Sequence, residues 1–295
     1  MDSHKKYFLS ETKQGLNPEQ VEHLIKHALV EDVGRGDITS QLTIPEDKEI
    51  KVRLLVKEAC VICGLGVAEQ VFEIVDKGLE FKYLVKEGQK VKKGKSAAEI
   101  SGSAHSILKA ERVALNLLSM LSGVATKTRE FVQLVEPYKV KITDTRKTMP
   151  GLRELQKYAV RIGDGFNHRM SLDEMILIKD NHIRITEGYS KLPRVPKGYK
   201  IEIEVQNLDE FKHAIQFKPD VIMLDNMSVE DVKKCVKIRD GISFSSSHHP
   251  VTKLEVSGGV SRENVKKIAA CGVDIISIGE LTHSVESVDI SLEVV

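Results

Sequence analysis

The sequence predicts an α/β protein in which a small α+β domain precedes a parallel β/α barrel. Three observations predict it. From Lys139 onward, KVKITDT, EMILIKDN, KIEIEV, VIMLDN, KLEVSGG and IISIGE recur as short apolar runs ending in polar or glycine residues, the pattern of strands buried on both faces of a parallel sheet. Helix start and stop signals fill the intervals between them, which gives repeated β/α units. The functional side chains stand at the same, C-terminal end of the runs, where a barrel builds its site. A doubly wound open sheet, with its site at a single switch point, is the alternative.

The elements follow in order. Residues 1–15 read as a frayed end. Asn17 and Pro18 then open a helix as capping residue and first helical residue, and VEHLIKHALVED continues it with one apolar face. IKVRLLVKEACVIC and LEFKYLVKEGQKV read as strands broken by glycine, and the pattern from Gly102 to about Phe131 predicts one long helix linking the two halves. In the barrel, Asn207 caps a helix with Asp209 and Glu210 in its first turn and Pro219 beyond it. Ser228 caps the next, with Glu230 and Asp231 in the first turn and Gly241 at its end; Ser261 caps a third, RENVKKIAAC, ended by Gly272.

Composition removes several function classes. The 295 residues are 41% hydrophobic and 29% charged, and 44 Lys+Arg against 43 Asp+Glu leave a net charge of +1. No overall basic field draws the chain to nucleic acid or to a membrane, so any anion site must be local. No apolar run approaches the roughly 20 residues that cross a bilayer, and the N-terminus lacks a signal core; a cytoplasmic protein is expected. Cys60 and Cys63 form a C-x-x-C in an apolar run without a second ligand pair, while Cys235 and Cys271 stand alone. Four reduced thiols are expected rather than a zinc or redox site.

The residues that carry chemistry cluster at strand ends. Ile142-Thr-Asp-Thr-Arg-Lys-Thr-Met-Pro-Gly151 reads as a buried strand presenting Asp144, Arg146 and Lys147 to a ligand, with His168-Arg169 and Lys179-His182 as further cationic pairs. Such a set suits a small polyanion. Ser257-Gly258-Gly259 ends a strand before a helix start and is either a phosphate cradle or a tight turn; Gly279 ends the next strand. Glu204 and Asp225 end successive strands and suit a hydrated Mg²⁺ or sugar hydroxyls, or else cap helices. Glu202 alternates with Glu204 on the same face. Lys179 fits either a Schiff base or a phosphate-binding point charge. His168-Arg169 lies on a loop entering the rim or in solvent, and Arg112 either serves a site or pairs with Glu111 or Glu130. The histidines of SSSHHP at 245–250 receive no metal role.

EDVGRGDIT, ERVALNLLSMLSGVAT, TDTRKTMPGLR, GFNHRMSLDEMILIKDNH, IEIEV, MLDN, EVSGG and IGELTHSV stand in this order from about Asn17 onward. In these motifs the chain resembles the quinolinate phosphoribosyltransferases. The resemblance implies an N-terminal α/β sandwich over 1–118, joined by a C-terminal tail at about 284–295, and an incomplete parallel β/α barrel over 119–283, the type II phosphoribosyltransferase arrangement. It implies transfer of phosphoribose from 5-phosphoribosyl 1-diphosphate to quinolinate, releasing diphosphate and CO₂ and giving nicotinate mononucleotide for NAD synthesis, with Mg²⁺ and no organic cofactor. It also implies a homodimer or a hexamer of dimers in which Arg112 serves the neighbouring subunit's site.

By the same resemblance Thr145, Arg146, His168 and Arg169, with Arg112, hold quinolinate. Lys147 and Lys179 lie near the diphosphate and the reacting carboxylate, Glu204 and Asp225 bind the ribose and organise Mg²⁺, and Ser257, Gly258, Gly259, Ile278, Gly279, Glu280 and His283 form the 5′-phosphate pocket. Glu280 beside that pocket departs from the small or neutral residue usual there, and the loop before EVSGG is longer and richer in serine. A relative using another phosphoribosyl acceptor, a Schiff-base lyase using Lys179, and a non-catalytic sensor of anionic metabolites are the competing readings.

Overall fold

The computed structural model describes residues 15–188, 198–241 and 252–295. Residues 1–14 of the stretch expected to fray and the histidines of the serine-rich loop lie outside them. In chain order the elements are α1 (Pro18–Val33), α2 (Ile38–Thr43), β1 (Glu49–Val56), β2 (Cys60–Val61), α3 (Leu65–Val75), β3 (Glu80–Tyr83), β4 (Lys90–Val91), β5 (Ser96–Ser103) and α4 (Ala104–Val135). There follow β6 (Lys141–Thr143), α5 (Arg153–Ile162), β7 (Ile176–Ile178), α6 (Asp180–Ile185), β8 (Ile201–Val205), α7 (Leu208–Ala214), β9 (Val221–Asp225) and α8 (Val229–Gly241). The last are β10 (Lys253–Ser257), α9 (Val265–Ala269), β11 (Ile275–Ser277), α10 (Glu280–His283) and β12 (Ile290–Val294).

The chain forms two compact units. One holds the described residues up to Arg129 together with Met149–Asp164 and Leu281–Val295; the other holds Glu130–Thr148 and Gly165–Glu280. Helix α4 runs past Arg129, so the division expected at 118/119 falls inside it.

The first unit is built on an antiparallel sheet in the order β12-β1-β5-β3. Strand β1 buries Val52, Leu54 and Val56 on one face, the alternation its sequence carries. Asn17 caps α1 as expected, accepting from the N–H groups of Glu19 at 3.0 Å and Gln20 at 3.4 Å. Helix α3 is started from outside its own sequence: Glu87 accepts from Gly64 N–H at 2.6 Å and Leu65 N–H at 3.1 Å, satisfying two donors the helix cannot pair itself. All four cysteines are free and buried. Burial pushes the Cys60 thiol up to about 11 and the Cys235 thiol up to about 12, so neither is a ready thiolate.

The second unit contains the six runs read from the sequence, all in one parallel sheet of order β6-β11-β10-β9-β8-β7. Strands β7 to β11 follow one another in a single direction, and β6, the first, lies beside β11, the last. A doubly wound sheet must reverse its order at a switch point; this one wraps instead. A further parallel bridge joins Thr143 to Phe166 on the free side of β6. Among the described residues no pairing joins Phe166 to β7, so the barrel is incomplete. The caps of the first two helices form as expected, with Asn207 accepting from Glu210 N–H at 2.9 Å and Ser228 Oγ from Asp231 N–H at 3.1 Å. The third departs from expectation. Asn264 folds back, accepting from Ser261 N–H and donating to Gly259 O, both at 2.8 Å, which makes residues 261–264 a closed turn and leaves α9 only Val265–Ala269.

Candidate active site

The strand tips of the second unit enclose a cleft of about 550 Å³. Of the residues singled out in the sequence, Thr145, Arg146, Lys147, His168, Arg169, Lys179, Glu204, Asp225, Ser257, Gly258 and Gly259 line it together. Ile278, Gly279 and Glu280 do not. Ile278 is 1% exposed and donates its N–H to Thr143 O at 2.9 Å, extending the β11–β6 ladder instead. Arg112 and His283 belong to the other unit. Arg112 is exposed on α4, and among the described residues it forms no salt bridge with Glu111 or Glu130; Glu130 pairs with Arg262.

The tip of β6 is arranged differently from its sequence reading. Asp144 is fully buried and turns away from the cleft, accepting from Asn167 Nδ2 at 2.5 Å and from His168 N–H at 2.9 Å. It clamps the loop that carries His168 and Arg169 and presents no carboxylate to a ligand. After it the chain turns tightly, Lys147 N–H donating to Thr145 Oγ1 at 3.0 Å, and Arg146 and Lys147 reach the cleft. The Arg146 Nε is buried and has no hydrogen-bond partner among the described residues. Arg169 is 8% exposed, with Nη1 on Met175 O at 2.9 Å. Burial first, and the neighbouring Arg146 cation second, hold its pKa below the usual guanidinium value. Two crowded guanidinium groups in a half-dry cleft favour an incoming anion.

His168 is tied to the protein at both ring nitrogens. Its Nδ1 accepts the Arg169 N–H at 2.9 Å and must be bare, so the proton sits on Nε2, which meets Glu202 Oε2 at 3.0 Å. His182 likewise stays out of the cleft, its Nδ1 accepting Lys179 N–H at 2.9 Å in the first turn of α6.

Strands β8 and β9 are neighbours, and their ends bring Glu204 and Asp225 to the same cleft. Lys179 Nζ donates to Glu204 Oε2 at 2.8 Å. An ammonium held by a carboxylate acts as a point charge, which disfavours the Schiff-base role. Asn226, at φ +53°, donates Nδ2 to Asp225 Oδ2 at 3.0 Å. Gly258 and Gly259 take φ of +80° and +60°, and a Cβ on Gly258 would collide with the Asn226 side-chain amide. The glycine is needed for both its backbone and the close approach.

Sequence models of quinolinate phosphoribosyl transferase match the chain twice, the N-terminal domain over residues 37–122 and the C-terminal domain over 124–293. The chain belongs to the quinolinate phosphoribosyltransferase family. A probable nicotinate-nucleotide pyrophosphorylase [carboxylating] of Methanocaldococcus jannaschii is 41% identical over 278 residues, covering 92% of this chain and 96% of that protein. The chloroplastic nicotinate-nucleotide pyrophosphorylase [carboxylating] of Arabidopsis thaliana is 39% identical over 92% of this chain and 82% of its own. The solved nicotinate-nucleotide pyrophosphorylase of Francisella tularensis superposes with a TM-score of 0.88 at 40% identity, covering 97% of this chain and 99% of that one. The family fold, an N-terminal sheet domain followed by a parallel α/β domain, is the one described above.

Three polar residues of the cleft were not picked out as functional in the sequence. Glu255, Ser277 and Asn226 line it, and Glu202 supports it from beneath through His168. Their signal was an acid inside an apolar strand: IEIEV and KLEVS each bury a carboxylate that a plain core strand would not contain.

Proposed function

We propose that this enzyme transfers phosphoribose from 5-phosphoribosyl 1-diphosphate to quinolinate with loss of CO₂, giving nicotinate mononucleotide and diphosphate. The observation that carries the reading is that one cleft gathers four cations, Arg146, Lys147, Arg169 and Lys179, with the carboxylates of Glu204 and Asp225 and the Gly258–Gly259 turn. Quinolinate carries two adjacent carboxylates, and the planar fork of an arginine can bond both oxygens of one.

In this reading Arg146 and Arg169 hold the pyridine with its nitrogen toward the ribose. Lys147 and Lys179 balance the diphosphate, while Ser257 and the free backbone of Gly258–Gly259 receive the 5′-phosphate. The carboxylates of Glu204 and Asp225 stabilise the positive charge that grows on the ribose as diphosphate leaves. Their hard oxygens, one on each of two adjacent strands, also suit a cation that keeps most of its water; Mg²⁺ held there would neutralise the leaving diphosphate. Attack by the pyridine nitrogen makes the ring cationic, and that charge stabilises the electron pair left when the adjacent carboxylate departs as CO₂, a pair that then takes up a proton from water to give the ring C–H. No organic cofactor is needed. Arg112 completes the acceptor site from a second copy of the chain in a homodimer or a larger assembly.

The test compares quinolinate with nicotinate as acceptor while following diphosphate and CO₂ together. Both products from quinolinate alone are expected. Diphosphate release with nicotinate, or tight quinolinate binding without turnover, would replace the reading by another acceptor or by a sensor.

A further inference from the structure

Beneath the arginines the barrel holds a group of buried acids that the proposed chemistry leaves unused. Glu202 on β8 and Glu255 on β10 are both 0% exposed. Glu255 lines the cleft. Its Oε1 accepts from Ser277 Oγ at 2.5 Å and lies 3.6 Å from His168 Nε2, while among the described residues neither its Oε2 nor Glu202 Oε1 has a hydrogen-bond partner. Ser277 in turn meets Thr143 Oγ1 at 2.6 Å. Two charged carboxylates here, with buried Asp144 nearby, would repel a dicarboxylate entering above them.

We propose that Glu255 is a specificity-determining acid, kept as the neutral carboxylic acid on the floor of the acceptor pocket, where with Glu202 it fixes His168 as the Nε2–H imidazole. The inference rests on the quinolinate reading. The groups facing Glu255 all act in one scheme. Glu202 from β8 and Asp144 from β6 disfavour its charge, and β9 and β11 set apolar Met223 and Ile275 opposite it in the register. His168 first, and the hydroxyl of Ser277 second, oppose them. Burial first, and Glu202 second, push the Glu255 carboxyl up to about 8. His168 then contributes a fixed ring edge, both nitrogens being committed to protein, and Arg169, its neighbour in the chain, is positioned with it. With Nδ1 bare and the proton on Nε2, this nitrogen is not a metal ligand, although one ligand atom from each of His168, Glu202 and Glu255 lies within 4.8 Å of the others.

The experiment measures KM for quinolinate from about pH 6 to about 9.5 at saturating phosphoribosyl diphosphate, for the wild type and Glu255→Gln. In the wild type KM should rise about tenfold per pH unit above about pH 8, as a second anion appears under the substrate, and kcat should change less. In Glu255→Gln the rise should be absent. Infrared difference spectra give a second measure that needs no variant activity: the wild type should lose a protonated-carboxyl band across the same pH range. A flat wild-type KM, the same rise in Glu255→Gln, no such band, or a stoichiometric metal ion released by Glu255→Gln would each overturn the inference. Failure of the wild type to turn over quinolinate would instead sink the functional reading, while the infrared result would still report the Glu255 proton.

Discussion

A guanidinium N–H left buried without a partner costs about 1–3 kcal/mol, so Arg146 Nε marks the place where an acceptor is missing from the protein itself. Arg146→Ala should therefore reduce kcat/KM for quinolinate by about 2–5 kcal/mol, roughly 30-fold or more, with a smaller change in KM for the phosphoribosyl donor. Arg146→Lys should recover only part of the loss, because an ammonium lacks the fork. Steady-state kinetics with each substrate varied in turn checks both, and near-wild-type rates in the alanine variant would remove Arg146 from the site. Glu255 makes a stability prediction of its own. Its carboxyl titrates near 8 in the fold against an ordinary 4.5, so between these values the folded chain holds one proton more than the unfolded chain. Stability is then full below about pH 4.5 and falls as pH rises toward 8, by about 1.4 kcal/mol per unit from this group. Urea midpoints at pH 5.5 and 7.5 should differ more in the wild type than in Glu255→Gln; equal differences would refute the shifted proton. Asp144 shows where residue-level reading from the sequence stops. A carboxylate between a buried strand and Arg146-Lys147 reads as facing a ligand, and only the folding of the 167–168 loop over it reveals a clamp.

Elements were legible wherever one segment carried its own signal. The six barrel strands were, because each couples an apolar run to a polar tip, and so were the caps at Asn17, Asn207 and Ser228, whose partners lie two or three residues on. What failed to show depends on partners far away or on very short pairing: the single bridge at Phe166, the turn that Asn264 closes, and the start of α3, whose capping carboxylate comes from Glu87. That last device can be tested. Glu87 also accepts Tyr158 OH at 3.0 Å, so Glu87→Ala removes the acceptor of three donors at once. Unfolding should become easier by about 1–3 kcal/mol, measured in urea, and a change within error would show that water replaces the cap. At the other end of the chain, Gly258→Ala forces a side chain into positive φ and against Asn226, at about 1–2 kcal/mol of strain for the backbone alone. Since Asn226 holds Asp225, KM for the phosphoribosyl donor should rise more than KM for quinolinate.

At the scale of the whole molecule Arg112 stands out: it is exposed on α4, does not line the cleft, and among the described residues forms no salt bridge with the neighbouring acids. Three large apolar side chains on the first two helices, Val30, Ile38 and Leu42, are 75%, 68% and 80% exposed, as residues are when a further subunit covers them. If Arg112 acts across a two-fold interface, then an Arg112→Ala chain lacks the arginine in its partner's site, whereas a Lys179→Ala chain spoils its own. Each variant alone should be nearly inactive. Refolded together in equal amounts, half the dimers are mixed, and in each mixed dimer one site carries both lesions while the other carries neither. Activity should therefore return to about a quarter of the wild-type value, the fraction of sites left intact by random pairing. If Arg112 serves its own chain, every site in the mixture carries one lesion and nothing returns. The recovery thus separates a shared site from a self-contained one without locating the interface, and it also requires that the two chains exchange, which native mass spectrometry of the same mixture would establish.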